Sequence, residues 1–244
     1  MVPATLATDF SPIDIAALLV FVTMWVGYGL AVGRMRGRRI SLSQIMNRQR
    51  EAWAHQLVAR DNRVVDTTIN ASLQNGTAFF ASTSLIALGG VLTLSRSSDD
   101  VLTLFGALPF GGVATRATWE IKVAGLAVVF VYAFFKFAWA YRLFNYSAIL
   151  IGAVPPKGSG ASQMEMERAA RRAAAMNVAA GGHFARGQRA FLFALAYLEW
   201  FVGPWLLMAT TAGVVCVMWR RQFASDIRAA LLVEDDPWPE DARS

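Results

Sequence analysis

The sequence predicts an all-α fold: a polytopic integral membrane helix bundle of four transmembrane helices plus two amphipathic cytoplasmic helices. Three observations predict it. First, four apolar runs stand out. Ile15–Gly33 and Gly76–Ser95 carry no charge, Val123–Phe144 carries only Lys136 and Arg142, and Ala190–Trp219 carries only Glu199. A helix needs about 20 apolar residues to cross the hydrocarbon core, and no water is present there to satisfy backbone groups, so each run is expected to be one continuous helix. Second, 55% of the 244 residues are hydrophobic and 12% aromatic, more apolar material than a soluble domain buries. Third, the net charge of +6 is unevenly placed. Residues 34–75 hold eight arginines and 145–189 six Lys/Arg, against two in 96–120 and none before Ile15. That is the positive-inside pattern, which places the two basic loops in the cytoplasm. The same placement ties the basic excess to topology and anionic headgroups and argues against nucleic acid as a partner.

The expected spans are about 13–33, 76–95, 122–144 and 194–219, within one membrane-embedded domain over 1–232. Four crossings put both termini outside, and a bacterial inner membrane is the expected location. Met1–Asp14 has no Lys or Arg and so lacks the basic region of a cleaved signal; the first run is read as a retained span. Ser11-Pro12 opens it, and Gly29-x-x-x-Gly33 has the spacing that lets two membrane helices approach closely. Arg34, Arg36, Arg38 and Arg39 follow as a stop-transfer cluster.

Residues 43–60 read as an amphipathic cytoplasmic helix, with Ile45, Met46, Trp53 and Leu57 on one face and Arg48, Arg50, Glu51 and Arg60 toward the other. That face suits either the lipid interface or a neighbouring helix. Asp66, Asn70 and Gln74 then form a polar stripe leading into the second span. The outer loop carries Asp99-Asp100 and the turn Pro109–Gly112, with room for one short helix. After the third span, 155–160 is a linker, and Ser162-x-x-Glu165 is a capping box opening an alanine-rich helix that Gly181-Gly182 is expected to end. The acidic segment 233–244 reads as a disordered tail.

Little in the chain points to catalysis. There is no phosphate loop, nucleophile elbow or paired zinc motif. The two histidines, His55 and His183, fall in cytoplasmic segments, so neither haem nor metal is expected. The lone cysteine, Cys216, lies in the fourth run and reads as a packing residue. The aromatic stretch Tyr132–Tyr146 reads as core packing plus an interfacial belt. The candidate polar site inside the membrane is therefore Lys136 and Glu199, with Arg142, Asn145 and the hydroxyl patch Thr77, Ser82, Thr83 and Ser84. Lys136 lies about 12 Å from the inner end of its span and Glu199 about 14 Å from that of its run, so antiparallel helices can bring them level. An unpaired charge at mid-bilayer costs at least ~2.5–3.5 kcal/mol, which calls for pairing, a wet cavity or snorkelling. Gly203-Pro204 is expected to bend the fourth helix beside Glu199.

Three segments occur in a recognisable order and spacing: Asn75–Ser84 followed by Gly89-Gly90; Phe137-x-Trp-x-Tyr-Arg-x-Phe-Asn145 with Ile149–Gly152; and Asn177, Phe184, Gly187–Arg189 and Phe191 through Trp200–Pro204. They resemble the bacterial and plant membrane protein family known as domain of unknown function 599, over about residues 13–230. The resemblance implies a multi-helix integral membrane protein and brings no catalytic or ligand residue. The expected function is a non-enzymatic membrane scaffold or accessory subunit acting through helix–helix and lipid contacts. The alternative is a small transporter or channel-like protein with a polar path at Lys136 and Glu199. No cofactor is expected. The expected partners are membrane lipids, with a protein partner or a second copy as further candidates.

Overall fold

The helices begin where a side-chain oxygen meets the unpaired amides of a first turn. The structure, a computed structural model, describes residues 10–34, 41–96, 115–224 and 231. Ser11 accepts from the Asp14 N–H (3.2 Å) at the head of α1 (Pro12–Arg34). Ser41 and Gln44 form a reciprocal capping box on α2 (Leu42–Ala59). Asn62 accepts from Val64 at the start of α3 (Val64–Arg96). Thr115 caps α4 (Arg116–Gly152), and Ser162 with Glu165 forms the expected capping box on α5 (Gln163–Leu198). A 3-10 turn, Glu199–Phe201, leads to α6 (Pro204–Phe223), where Pro204 occupies the first turn and its missing N–H leaves no bond unmade. The described residues contain no strand, and the fold is all-α as expected.

Helices α4 and α5 run antiparallel and form the spine. Ala133, Ala140, Ala190 and Ala194 on their shared seam are wholly buried. Two glycines set how closely the helices approach. A Cβ on Gly187 would sit 2.7 Å from the Phe137 ring, and one on Gly125 would overlap the Tyr197 hydroxyl. Helix α3 packs along α4, with Phe80 also meeting Phe184 and Phe191 of α5, and α2 packs on the first half of α5 through Ala54, Leu57, Val58, Ala170 and Ala173. Helix α1 packs along α6 and reaches the spine through aromatic side chains: Phe21 meets Phe193 and Tyr197, and Trp25 stacks on Phe193 and meets Tyr132 edge-on.

Helices α1, α3 and α4 are long and apolar enough to cross a membrane, and they contain the first three expected spans. The fourth, 194–219, is not one continuous helix. Helix α5 ends at Leu198, and α6 runs back the other way. Trp200 donates to Asp14 near the start of α1, whereas Trp219 meets Tyr28 and Gln222 bonds Ser43, beyond the end of α1. Gly203-Pro204 thus reverses the chain rather than bending it: Pro204 has no N–H with which to continue α5 but is well suited to start a new helix. As a result Pro12 and Phe223 lie at opposite ends of the bundle, contrary to the arrangement expected from an even number of crossings.

Two further expectations change. Gly181-Gly182 does not end α5, which continues to Leu198. Each glycine costs about 1 kcal/mol relative to alanine in a helix, a cost that packing along α4 and α2 outweighs. Gly181 also gives room to the Arg50 guanidinium, 2.9 Å from where its Cβ would stand. Gly29 and Gly33 have nothing within 4 Å of where their Cβ atoms would stand among the described residues. Of the two settings open to the 43–60 helix, the neighbouring helix is the one seen, with Met46 left exposed and Leu57 buried. The linker 155–160 is as expected, with Gly158 and Gly160 at positive φ. The residues Arg36, Arg38 and Arg39, the outer-loop features at 99–112, and the tail 233–244 lie outside the described residues.

The reversal makes a topological prediction. In a Cys216→Ser background, single cysteines placed at Ile13 and Ala224 should react with a membrane-impermeant thiol reagent from opposite sides. Labelling of both from outside intact cells would require α5 and α6 to form one straight helix.

Candidate functional site

Two enclosed polar clusters lie at opposite ends of the apolar part of the bundle. In the first, Asp14 at the head of α1 faces Lys122 near the head of α4. The Asp14 Oδ1 atom accepts from Trp200 Nε1 (2.9 Å) and lies 3.6 Å from Lys122 Nζ, while Oδ2 accepts from the Ser11 hydroxyl (2.7 Å). Lys122 Nζ also donates to the Trp200 carbonyl (2.9 Å) and sits over the Trp200 ring. Both charged side chains are mostly buried, at 11% and 14% exposure. The cluster ties the start of α1, the start of α4 and the α5–α6 turn together. Phe10 stacks on Trp200 and closes it off.

The second cluster is a polar layer between α2, α3, α4 and α5. Asp66, Asn70, Ser147 and Asn177 are each at most 1% exposed. Asp66 Oδ1 accepts from Trp53 Nε1 (2.6 Å) and Arg60 Nη1 (2.8 Å), so α2 and the turn after it are pinned to α3. Asn70 Nδ2 donates to the Phe144 carbonyl (3.1 Å), and Asn177 Nδ2 lies 3.4 Å from both Asn70 Oδ1 and Ser147 Oγ. The Ser147 hydroxyl donates to the Ala173 carbonyl (3.3 Å). Below the layer, Arg63 caps the end of α4 by donating to the carbonyls of Ile151, Val154 and Pro155. Two buried acceptors, Asp66 Oδ2 and Asn177 Oδ1, have no partner.

The stripe Asp66, Asn70, Gln74 was legible in the sequence; its partners were not. Asn145, from the candidate list, bonds Gln74 Nε2 through Oδ1 (2.7 Å) at the edge of this layer. Arg142 lies on the surface, donating to the Tyr146 hydroxyl (2.7 Å). Thr77, Thr83 and Ser84 each donate to the carbonyl four residues earlier in α3, so these hydroxyls are satisfied by their own helix, while Ser82 is exposed. These residues do not converge on a shared space.

Lys136 and Glu199 are not paired. Glu199 sits in the turn beside Trp200, level with Lys122, and Lys136 is fourteen residues further along α4, about 21 Å at ~1.5 Å per residue. Lys136 Nζ instead lies 5.0 Å from the Tyr132 ring centroid. The reversal at Gly203-Pro204 leaves Glu199 at the end of α5 instead of within a membrane-crossing helix. The ion pair that does form, Asp14–Lys122, lies one residue outside two of the apolar runs. Its sequence signal was two opposite charges flanking the matching ends of two parallel helices.

A groove of about 270 Å³ between α2 and α5 is lined by Glu51, His55, Val58, Glu167 and Arg171 among others. Among the described residues no three His, Cys, Asp or Glu side chains come together as a metal site would require.

The family described as protein of unknown function, DUF599, matches residues 16–227, and the chain belongs to that family. No curated protein and no solved structure matches it.

The two clusters predict distinct mutational responses. Asp66→Ala strands the Trp53 and Arg60 donors and should lower stability in detergent by about 2–4 kcal/mol, whereas Thr83→Ala should cost under about 1 kcal/mol. Thermal melts of the purified variants check both. Lys122→Met and Asp14→Asn should each destabilise by about 2–3 kcal/mol, and the double variant should recover part of that loss because no orphaned charge remains. Lys136→Met and Glu199→Gln, by contrast, should combine additively.

Proposed function

We propose that this family member is a non-enzymatic, multi-pass protein of a bacterial inner membrane that serves as a scaffold or accessory subunit through helix–helix and lipid contacts. On this reading α1, α3 and α4 cross the bilayer, the α5–α6 hairpin is inserted beside them, and the arginine-rich end faces the cytoplasm. The observation that supports it is where the polar groups lie. Lys122 and Ser147, one from each enclosed cluster, are separated along α4 by about 37 Å at ~1.5 Å per residue, slightly more than a hydrocarbon core of ~30 Å. Between those levels, large apolar side chains face outward from three helices, including Leu19, Val22 and Val26 on α1, Phe79, Leu85 and Ile86 on α3, and Val128 and Phe135 on α4. Of the buried threonine and serine hydroxyls in this zone, Thr77 and Ser84 are bonded to their own helix and Thr211 on α6 stands apart from them, so they do not supply the continuous polar lining that a permeation path needs.

The transport alternative makes the opposite prediction for solvent access. In a Cys216→Ser background reconstituted in liposomes, cysteines placed at Ala133, Phe137 and Ala190 should resist a water-soluble thiol reagent. A photo-crosslinker placed at Phe79 or Ile86 on the outer face should give discrete protein or lipid adducts. Rapid labelling at all three interior positions would reveal a water-filled path and favour the transporter.

A further inference from the structure

Three half-buried cations lie near the inner end of the membrane zone. Lys136 from α4 and Arg186 and Arg189 from α5 have neither a hydrogen bond nor an ion pair to a carboxylate among the described residues. Elsewhere among the described residues the buried or half-buried cations have acceptors: Lys122 has Asp14, Arg50 has Asn47, and Arg63 has three carbonyls. Aromatic faces hold two of the unpaired three in place. The Arg189 guanidinium carbon lies 5.8 Å from the Tyr28 ring centroid, and Lys136 Nζ lies 5.0 Å from that of Tyr132. Cation–π contacts of this kind orient a charge but leave it un-neutralised.

His183, one turn before Arg186, is part of the same group. Its ring lies 6.3 Å from Trp139 on α4, and its buried Nδ1 atom has no hydrogen-bond partner. The charged groups facing it are Arg186 from its own helix and Lys136 from α4.

We propose that Lys136, His183, Arg186 and Arg189, framed by Tyr28 and Tyr132, form a binding site for a phosphate group. A phosphate oxygen supplies the acceptor each of these side chains lacks, and arginines present paired donors that match phosphate geometry. The four side chains are half-buried between α1, α4 and α5 at the level where α1 nears its basic end, a position the headgroup of an inner-leaflet anionic lipid can reach, as it does in basic pockets between membrane helices. A soluble phosphate compound carries the same chemistry from the cytoplasm. The lipid source rests on the membrane reading given above.

The test starts with carbonate extraction of membranes. A chain that is stripped off fails the membrane reading; one that stays is purified in mild detergent. Native mass spectrometry with equal amounts of dioleoyl phosphatidylglycerol and dioleoyl phosphatidylcholine should then show preferential retention of phosphatidylglycerol. Arg186→Gln with Arg189→Gln should lower that retention at least about fivefold. Arg168→Gln with Arg171→Gln, an equal loss of charge on exposed positions of the same helix, should leave it unchanged. For the unaltered protein, NMR titration of its two histidines gives an independent reading. Phosphatidylglycerol should raise the His183 midpoint by about half a unit or more and leave His55 in place. If inorganic phosphate at millimolar concentration produces the same shift and phosphatidylglycerol does not, the site takes a soluble phosphate. Equal retention of the two lipids with no His183 shift from either source, or equal losses in the two double variants, would overturn the site.

Discussion

Helices α4 and α5 lie side by side over most of their length because alanines and glycines recur along the seam and make room for the larger side chains opposite them. At Gly187 and Gly125 the neighbouring rings occupy the volume a methyl group would take. In a membrane, where lipid tails are as apolar as leucine, such close packing is a main source of helix association, since the hydrophobic effect between helices is lost. The other helices depend on this spine. Helix α3 packs along α4 and meets α5 through Phe80, α2 takes the first half of α5, and α1 with α6 closes its second half through Phe21 and Trp25. A bulkier seam would displace all of them together.

Polar groups are then disposed of in different ways at different depths. At the two ends they are buried and matched, with Asp14 answered by Lys122 and Trp200, and Asp66 by Trp53 and Arg60. Along α3 the hydroxyls return to their own backbone. Around His183, Arg186 and Arg189, by contrast, half-buried cations and a buried ring nitrogen stand without acceptors among the described residues. An interior that satisfies its other charges so thoroughly gives that exception its weight, because an uncompensated cation cluster is costly to hold together.

Much of the fold was legible because hydropathy reports how far a chain can run through lipid. The spans at 13–33, 76–95 and 122–144, the capping box at Ser162 and the stripe through Asp66 and Asn70 follow from local composition and spacing. The candidate site was read less well, for a specific reason. Whether Glu199 comes level with Lys136 depends on the direction of the chain after Gly203, and the apolar run 190–219 looks the same whether it is straight or folded back. A proline that starts a helix and one that kinks a helix are the same letter. Asp14 and Lys122 were overlooked because each stands just outside an apolar run, at the position usually given to a cap or an interfacial residue. Gly181-Gly182 misled in the other direction: glycine ends a helix when the chain needs a left-handed residue, and here α5 needs only room for the Arg50 side chain.

The turn at Glu199–Gly203 also bears on how such a chain enters a membrane. The uncharged end of α5, from Ala190 to Leu198, is about 13 Å long at ~1.5 Å per residue, less than half of a ~30 Å core. On the proposed arrangement it cannot be held there alone, and α6 begins only after a break in helical bonding. The two limbs would have to partition as a hairpin, late in synthesis, into a slot already walled by α1 and α4. The Asp14–Trp200 bond would then latch α1 to the turn of the hairpin, so a ribosome that stops before Pro204 would release a product that lacks α6, the helix α1 packs along.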